Sequence, residues 1–141
     1  MKPAEIDIRS LAPKVRTALE DAIALARRYL AFMPGSYRDR PARTEAAPPK
    51  PGRAIEEIVP FDQRKWFDMY ELIDRIVDAD SFFEVKRLFA AEIVVGLARL
   101  GGRAVGVVAN QPKVKGGVLM VDSSDKAARF INLCNAFNIP L

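Results

Sequence analysis

The residues best suited to chemistry sit in one short run, Asn110-Gln111-Pro112-Lys113-Val114-Lys115-Gly116-Gly117. Asn110 and Gln111 each carry an amide that donates through nitrogen and accepts through oxygen, while Gly116 and Gly117 have no Cβ to hold a ligand away from the backbone. Together they can present neutral N–H donors to an oxygen that gains negative charge during a reaction, a stabilisation that needs no rearrangement at the transition state. The same residues can equally satisfy a loop's own backbone groups and turn the chain, so both roles stay open. Lys113 and Lys115 between them can attract phosphates or remain solvated.

Little else in the chain offers a reacting group. The 141 residues include no histidine and a single cysteine. That removes imidazole-based triads, histidine metal sites and a histidine pH switch. Cys134 falls on the apolar face of a predicted helix and reads as a small core residue, and Arg99 and Arg103 flank a turn, where cross-strand or solvent roles are the default. No catalytic residue and no metal ligand is nominated. The net charge of +4 comes from 22 basic and 18 acidic residues, and residues 1–56 hold 11 basic against 7 acidic while residues 57–141 hold 11 against 11. The whole excess is N-terminal. Without interleaved aromatics it reads as a solvated face rather than a phosphate-binding surface.

The elements that must hold the loop are legible on either side of it. Ile93-Val94-Val95-Gly96-Leu97-Ala98-Arg99 and Arg103-Ala104-Val105-Gly106-Val107-Val108-Ala109 flank Gly101-Gly102, which predicts a hairpin because both central positions of a type I′ turn need positive φ. Gly96 and Gly106 inside the strands predict close approach by something else. After the loop, Asp122 or Ser123 is expected to cap a helix whose core face is Ala127, Ala128, Phe130, Ile131, Cys134 and Phe137, with Asn138 closing it in the left-handed conformation. Ile139-Pro140-Leu141 looks like a strand start, which leaves the sheet short of a member and the helix with little to pack on. Upstream, Asp68-Met69-Tyr70-Glu71 is a capping-box pattern for a helix ending near Asp78, and Phe82, Phe83, Val85, Leu88 and Phe89 read as core or subunit interface. Leu19, Ala22, Ile23, Ala26, Leu30 and Met33 predict an amphipathic helix near 18–32, opened by Thr17 and Glu20. Between Pro34 and Pro60 lie six of the ten prolines. That stretch is expected to be an extended surface connector, neither helix nor central strand.

Half of the residues are apolar and 28% are charged, a globular profile of single-domain length. The polar start Met1–Asp7 lacks the apolar centre of a signal peptide, no apolar run reaches ~18 residues, and one thiol fits a reducing compartment. A soluble, cytoplasmic protein is expected.

Ala109-Asn110-Gln111-Pro112, Asp122-Ser123-Ser124-Asp125-Lys126-Ala127-Ala128-Arg129-Phe130 and Phe137-Asn138-Ile139-Pro140-Leu141 resemble segments of the carboxyltransferase (beta) subunit of biotin-dependent acyl-CoA carboxylases. Ile58-Val59-Pro60, Phe67-Asp68-Met69, Ile76-Val77-Asp78, Phe82-Phe83-Glu84 and Gly96-Leu97-Ala98-Arg99 are similar to the same family in the same order, so the resemblance covers about residues 18–141. The propionyl-CoA, acetyl-CoA and methylmalonyl-CoA branch is resembled more than the methylcrotonyl-CoA branch.

The resemblance implies an α/β, crotonase-like (ClpP/crotonase) fold, present in part as helix, Pro-rich connector, helix, β-hairpin and helix. Residues 1–33 are then the last helix of an N-terminal carboxyltransferase half, 34–66 the connector and 67–141 the start of the C-terminal half. The implied reaction moves a carboxyl group from carboxybiotin, carried on a partner domain, to the α-carbon of a short-chain acyl-CoA, propionyl-CoA foremost. Implied partners are a biotin carboxylase or biotin carboxyl carrier subunit and further copies of the chain, a hexamer in the family; neither nucleic acid nor membrane is expected. In that layout the loop passes the ligand, which makes Asn110, Gln111, Gly116 and Gly117 the ligand-loop candidates. The family's glycine-rich oxyanion-hole segments are absent, so the chain is expected to be catalytically incomplete. A subunit of a biotin-dependent decarboxylase and a non-catalytic truncated homologue acting as an interaction module stand as alternatives. Departures from the family pattern are Met120 where an acidic residue is usual, Asp80 where glycine is common, and Lys65-Trp66-Phe67 where Pro-Tyr is usual.

Overall fold

The computed structural model describes residues 12–62 and 64–141, so the Met1–Asp7 stretch discussed above lies outside it. The chain divides after Ala31 into two compact units. The first contains helix α1 (Pro13–Leu30), which begins at Pro13 rather than near residue 18. Proline suits the first helical position because its φ is preset and its missing N–H would have had no partner there. Thr17, expected to cap, lies inside the helix and donates its hydroxyl to Pro13 O at 3.1 Å. Arg27 and Arg28 occupy the last turn, where the helix dipole favours cations.

The hairpin is the centre of the second unit. Strands β2 (Ile93–Leu100) and β3 (Arg103–Asn110) pair antiparallel from Ile93↔Asn110 to Leu100↔Arg103, and Gly101 and Gly102 between them have φ of 58° and 76°. Strand β1 (Phe83–Glu84) adds to the other side of β2, giving the order β1-β2-β3. Both faces of β2 are covered. Val94 and Ala98 pack with Ile73 of helix α3 (Met69–Asp74) and with Val77 and Phe82, whereas helix α4 (Val121–Ala136) brings Phe130 and Cys134 to the opposite face at Gly106. Val94, Val95 and Leu97 are fully buried, each contributing roughly 1.5–3 kcal/mol. A Cβ on Gly96 would stand 2.6 Å from both the Phe82 ring and Phe83 O, and one on Gly106 would stand 2.6 Å from Cys134 Sγ. The close approaches expected at these two glycines are therefore made by the chain itself, one on each face.

Several local expectations change. Helix α4 does have a surface to pack on, with Phe130 and Cys134 buried against the hairpin and Gly106 N–H donating to Pro140 O at 2.8 Å. It starts at Val121, and Met120 is its N-cap: Ser123 Oγ accepts from Met120 N–H at 2.6 Å and donates to Met120 O at 2.9 Å, so this serine acts from the first turn rather than as the cap. The buried face is Ser123, Lys126, Phe130 and Cys134, leaving Ala128 and Ile131 exposed. Asn138 closes the helix at φ 54°, as expected. Asp68 accepts from Tyr70 N–H at 3.1 Å, but Glu71 turns outward to Arg53 Nε at 2.8 Å, so the reciprocal half of that capping box is not made. Phe82 joins the core while Leu88 is fully exposed, because the chain leaves β1 at Glu84 and turns through Lys86 and Ala90 at positive φ.

The Pro-rich connector also contains one helical turn, α2 (Ile55–Ile58), contrary to expectation. Its four residues include no proline, and Ile58 buries its side chain. Elsewhere the connector runs extended along the second unit, with Thr44 N–H on Gly102 O (2.9 Å), Lys50 N–H on Asp74 O (3.2 Å) and Ala79 N–H on Pro48 O (3.2 Å).

Candidate functional site

The open end of the hairpin delivers the loop. β3 ends at Asn110, and a 3-10 turn at Lys115–Gly117 follows, with Gly116 and Gly117 at φ 66° and 70°. Asn110 Nδ2 donates to Gly117 O at 2.6 Å and ties the two ends of the loop together. Gln111 is buried; its N–H donates to Glu92 O (2.9 Å), its Nε2 donates to Asp68 Oδ1 (2.9 Å), and its Oε1 accepts from Met69 N–H (3.2 Å). Both amides are thus occupied by the protein. Gly117 N–H donates to Val114 O at 2.8 Å, and a Cβ there would crowd Asn110 Cβ at 3.3 Å. Gly116 is exposed, and a Cβ built on it would meet nothing within 4 Å. The structure brings Asn110, Gln111 and Gly117 together as a frame and leaves Gly116 as the place where another molecule can come close to the backbone.

The surrounding charges are internally matched. Lys113 Nζ lies 2.9 Å from Asp68 Oδ2 and 5.7 Å above the centre of the Trp66 ring. Burial pushes the Asp68 carboxyl up, but hydrogen bonds from Lys113, Gln111 and the Tyr70 N–H outweigh it and hold the group below its ordinary value. Lys115, itself at φ 49°, points to the buried Glu92 at 3.5 Å. The Glu92 carboxyl is held low by its own backbone N–H and by Lys115. In α3 the Tyr70 hydroxyl donates to Glu84 Oε1 at 2.9 Å; burial and this carboxylate push the tyrosine pKa up to about 12.

Two positioning residues were not singled out from sequence. Lys126 is 2% exposed, and its ammonium donates to Phe89 O (2.8 Å), Ala90 O (3.3 Å) and Ile93 O (2.8 Å), clamping the turn that leads into β2. Burial lowers its pKa, while the charges of Glu84 and Glu92 oppose the shift. Its spacing was the available signal, since 126 lies three after Ser123 and four before Phe130, on the helix's inner face. Asp78 accepts from Gly101 N–H (2.8 Å) and Gly102 N–H (2.7 Å) and so braces the hairpin turn. Its burial raises the carboxyl, and the backbone donors more than reverse this. Arg99 donates to Ala42 O and Gly102 O, each at 3.2 Å, and stacks 5.2 Å from the Phe32 ring centre. Cys134 is buried, which pushes its thiol pKa up, away from nucleophilic use. Among the described residues no helix is long and apolar enough to cross a membrane, and no group of three or more Cys, Asp or Glu is placed to hold a metal ion.

Residues 14–141 match the family model described as the carboxyl transferase domain. The chain is 54% identical over 123 residues to the uncharacterized carboxylase YngE of Bacillus subtilis, covering 86% of this chain and 24% of that protein. It is 42% identical over 124 residues to the propionyl-CoA carboxylase carboxyltransferase subunit of Haloferax mediterranei, covering 86% of this chain and 24% of the relative. Among solved structures, the transcarboxylase 12S hexamer with methylmalonyl-coenzyme A and methylmalonic acid bound aligns at a TM-score of 0.80 and 40% identity, over 85% of this chain and 24% of that one. The chain spans about a quarter of the length of the curated relatives it matches.

Proposed function

The chain belongs to the carboxyl transferase domain family, and on that basis we propose that it forms part of a carboxyltransferase subunit moving a carboxyl group from carboxybiotin to the α-carbon of a short-chain acyl-CoA, propionyl-CoA foremost. The observation that carries this reading is the continuous match of residues 14–141, with 42% identity to a propionyl-CoA carboxylase subunit. A structural relative with methylmalonyl-coenzyme A bound supports the same acyl class. In this reading biotin arrives on a carrier subunit accompanied by a biotin carboxylase, the subunit assembles with copies of itself as transcarboxylase 12S does, and the protein works in the cytoplasm. Residues 1–33 close the N-terminal half, 34–66 connect, and 67–141 open the C-terminal half.

Asn110 Nδ2 and Gln111 Nε2 donate to Gly117 O and Asp68 within the protein. No step of the transfer is therefore assigned to them. Their work is to shape the loop so that the backbone at Gly116 stays open and fixed, and fixed donors are the ones that help a developing anion. The test is to isolate the gene product from its source together with the polypeptides it binds and to follow labelled bicarbonate into acid-stable product. Propionyl-CoA should be carboxylated faster than longer acyl-CoAs. A preparation that contains the biotinylated carrier and carboxylates no acyl-CoA would overturn the proposal.

A further inference from the structure

The N-terminal basic excess, which sequence alone assigns to a solvated face, is partly gathered in one groove. Arg38, Arg40 and Arg43 of the connector and Arg103 at the start of β3 line a groove of about 680 Å³, with the buried Ala104 and Ile139 among its walls. Arg103 opens β3 and Asn110 ends it, so the groove and the ligand loop lie at opposite ends of that strand.

The backbone carrying the arginines is tied down on both sides. Asn138 Nδ2 donates to Tyr37 O (2.6 Å) and Asp39 O (3.0 Å), Arg99 donates to Ala42 O (3.2 Å), and Thr44 N–H donates to Gly102 O (2.9 Å). The charges themselves are not neutralised. Among the described residues the ion pairs are made by Lys50, Arg53, Arg87, Lys113 and Lys115, and none of the four groove arginines takes part. The Arg38 guanidinium donates to the uncharged Tyr37 hydroxyl at 3.0 Å and lies 5.4 Å from the centre of that ring. Guanidiniums that line one groove without paired carboxylates suit a ligand bearing several anionic oxygens. The planar guanidinium fork matches phosphate in particular. The volume lies within the roughly 300–1,000 Å³ of small-molecule sites.

We propose that this groove binds a ligand with clustered phosphates, of about the size of a nucleoside diphosphate. A free nucleotide and the phosphorylated ADP portion of coenzyme A share that chemistry, and only the second source rests on the carboxyltransferase reading. Calorimetric titration of the full chain at low salt with ADP, pyrophosphate, coenzyme A and adenosine tests it. ADP and pyrophosphate should bind and adenosine should not. The exposed-site double variant R40E/R43E should weaken ADP by roughly tenfold or more, the size expected for losing a charge-assisted contact. The double variant R64E/K65E, which changes the charge equally at exposed positions of the same unit that do not line the groove, should leave ADP affinity within about twofold once salt is raised to about 0.15 M, where long-range attraction is screened and contact within the groove is not. Circular dichroism confirms that each variant folds. Coenzyme A binding as tightly as ADP identifies the thioester source, and ADP binding alone identifies a free nucleotide; both support the site. Adenosine matching ADP, an equal loss with R64E/K65E, a polyglutamate peptide displacing ADP, or no binding by any phosphate compound would each overturn it. A failed carboxylation assay leaves ADP binding untouched, so the two readings fail separately.

Discussion

Lys126 shows how a charged residue can be a core residue. Removing an ammonium ion from water is costly, and the cost is offset here because its three N–H donors meet three backbone carbonyl oxygens. Lys126→Met keeps the apolar stem and leaves Phe89, Ala90 and Ile93 without that donor. Urea unfolding should report a loss of roughly 2–4 kcal/mol, the scale of orphaned buried acceptors; a loss below roughly 0.5 kcal/mol would mean that water replaces the ammonium. Asn110 and Gln111 follow the same logic at lower charge. Their amides suit a ligand and a loop equally well, and within the folded chain they donate to Gly117 O and Asp68, at 2.6 and 2.9 Å. Asp80 stands at φ 57°, a conformation that aspartate tolerates better than most residues, and it is paired with Lys50 at 3.0 Å.

At the scale of elements, the hairpin owes its position to two missing side chains. Gly96 lets Phe82 and the Phe83 carbonyl close on one face, and Gly106 lets Cys134 and Phe130 close on the other. Gly96→Ala forces a contact against backbone, which cannot rotate away. It should lower stability by roughly 1–3 kcal/mol in thermal or denaturant melts. Gly35→Ala is the matched control, because its Cβ would meet only Asp39 Oδ2 at 3.9 Å, and it should change stability by less than about 0.5 kcal/mol. Equal effects from the two substitutions would remove steric approach as the reason for glycine at 96.

For the molecule as a whole, Asp68 and Asp78 join segments far apart in sequence: α3 to the ligand loop, and the Asp78 segment to the hairpin turn. Both carboxyls sit below their ordinary value of 3.8, against the raising effect of burial. A carboxyl with a lower pKa folded than unfolded adds stability that is complete above the unfolded pKa and disappears as pH falls through the folded one. The urea midpoint should therefore stay level from neutral pH to about 5 and fall below about 4. Asp78→Asn should lower the plateau and shallow the acid limb. An acid limb of unchanged slope in both Asp78→Asn and Asp68→Asn would assign acid sensitivity to other groups.

The sequence by itself determined what depends on neighbouring residues: the Gly101-Gly102 hairpin, whose turn needs positive φ twice, the Asp68 cap, the Asn138 helix end, and the family through runs of motifs in order. Local periodicity and φ preferences are enough for these. Tertiary structure alone decided that Gln111 reaches back to Asp68, 43 residues earlier, and that Asn138 holds the backbone of Tyr37, 101 residues earlier. It also decided that Lys126 points inward and that Arg38, Arg40, Arg43 and Arg103 face one groove. The physical reason is common to all of these. A polar side chain has the same chemistry whether it meets solvent, ligand or backbone, and only the folded chain says which of them lies within hydrogen-bonding distance.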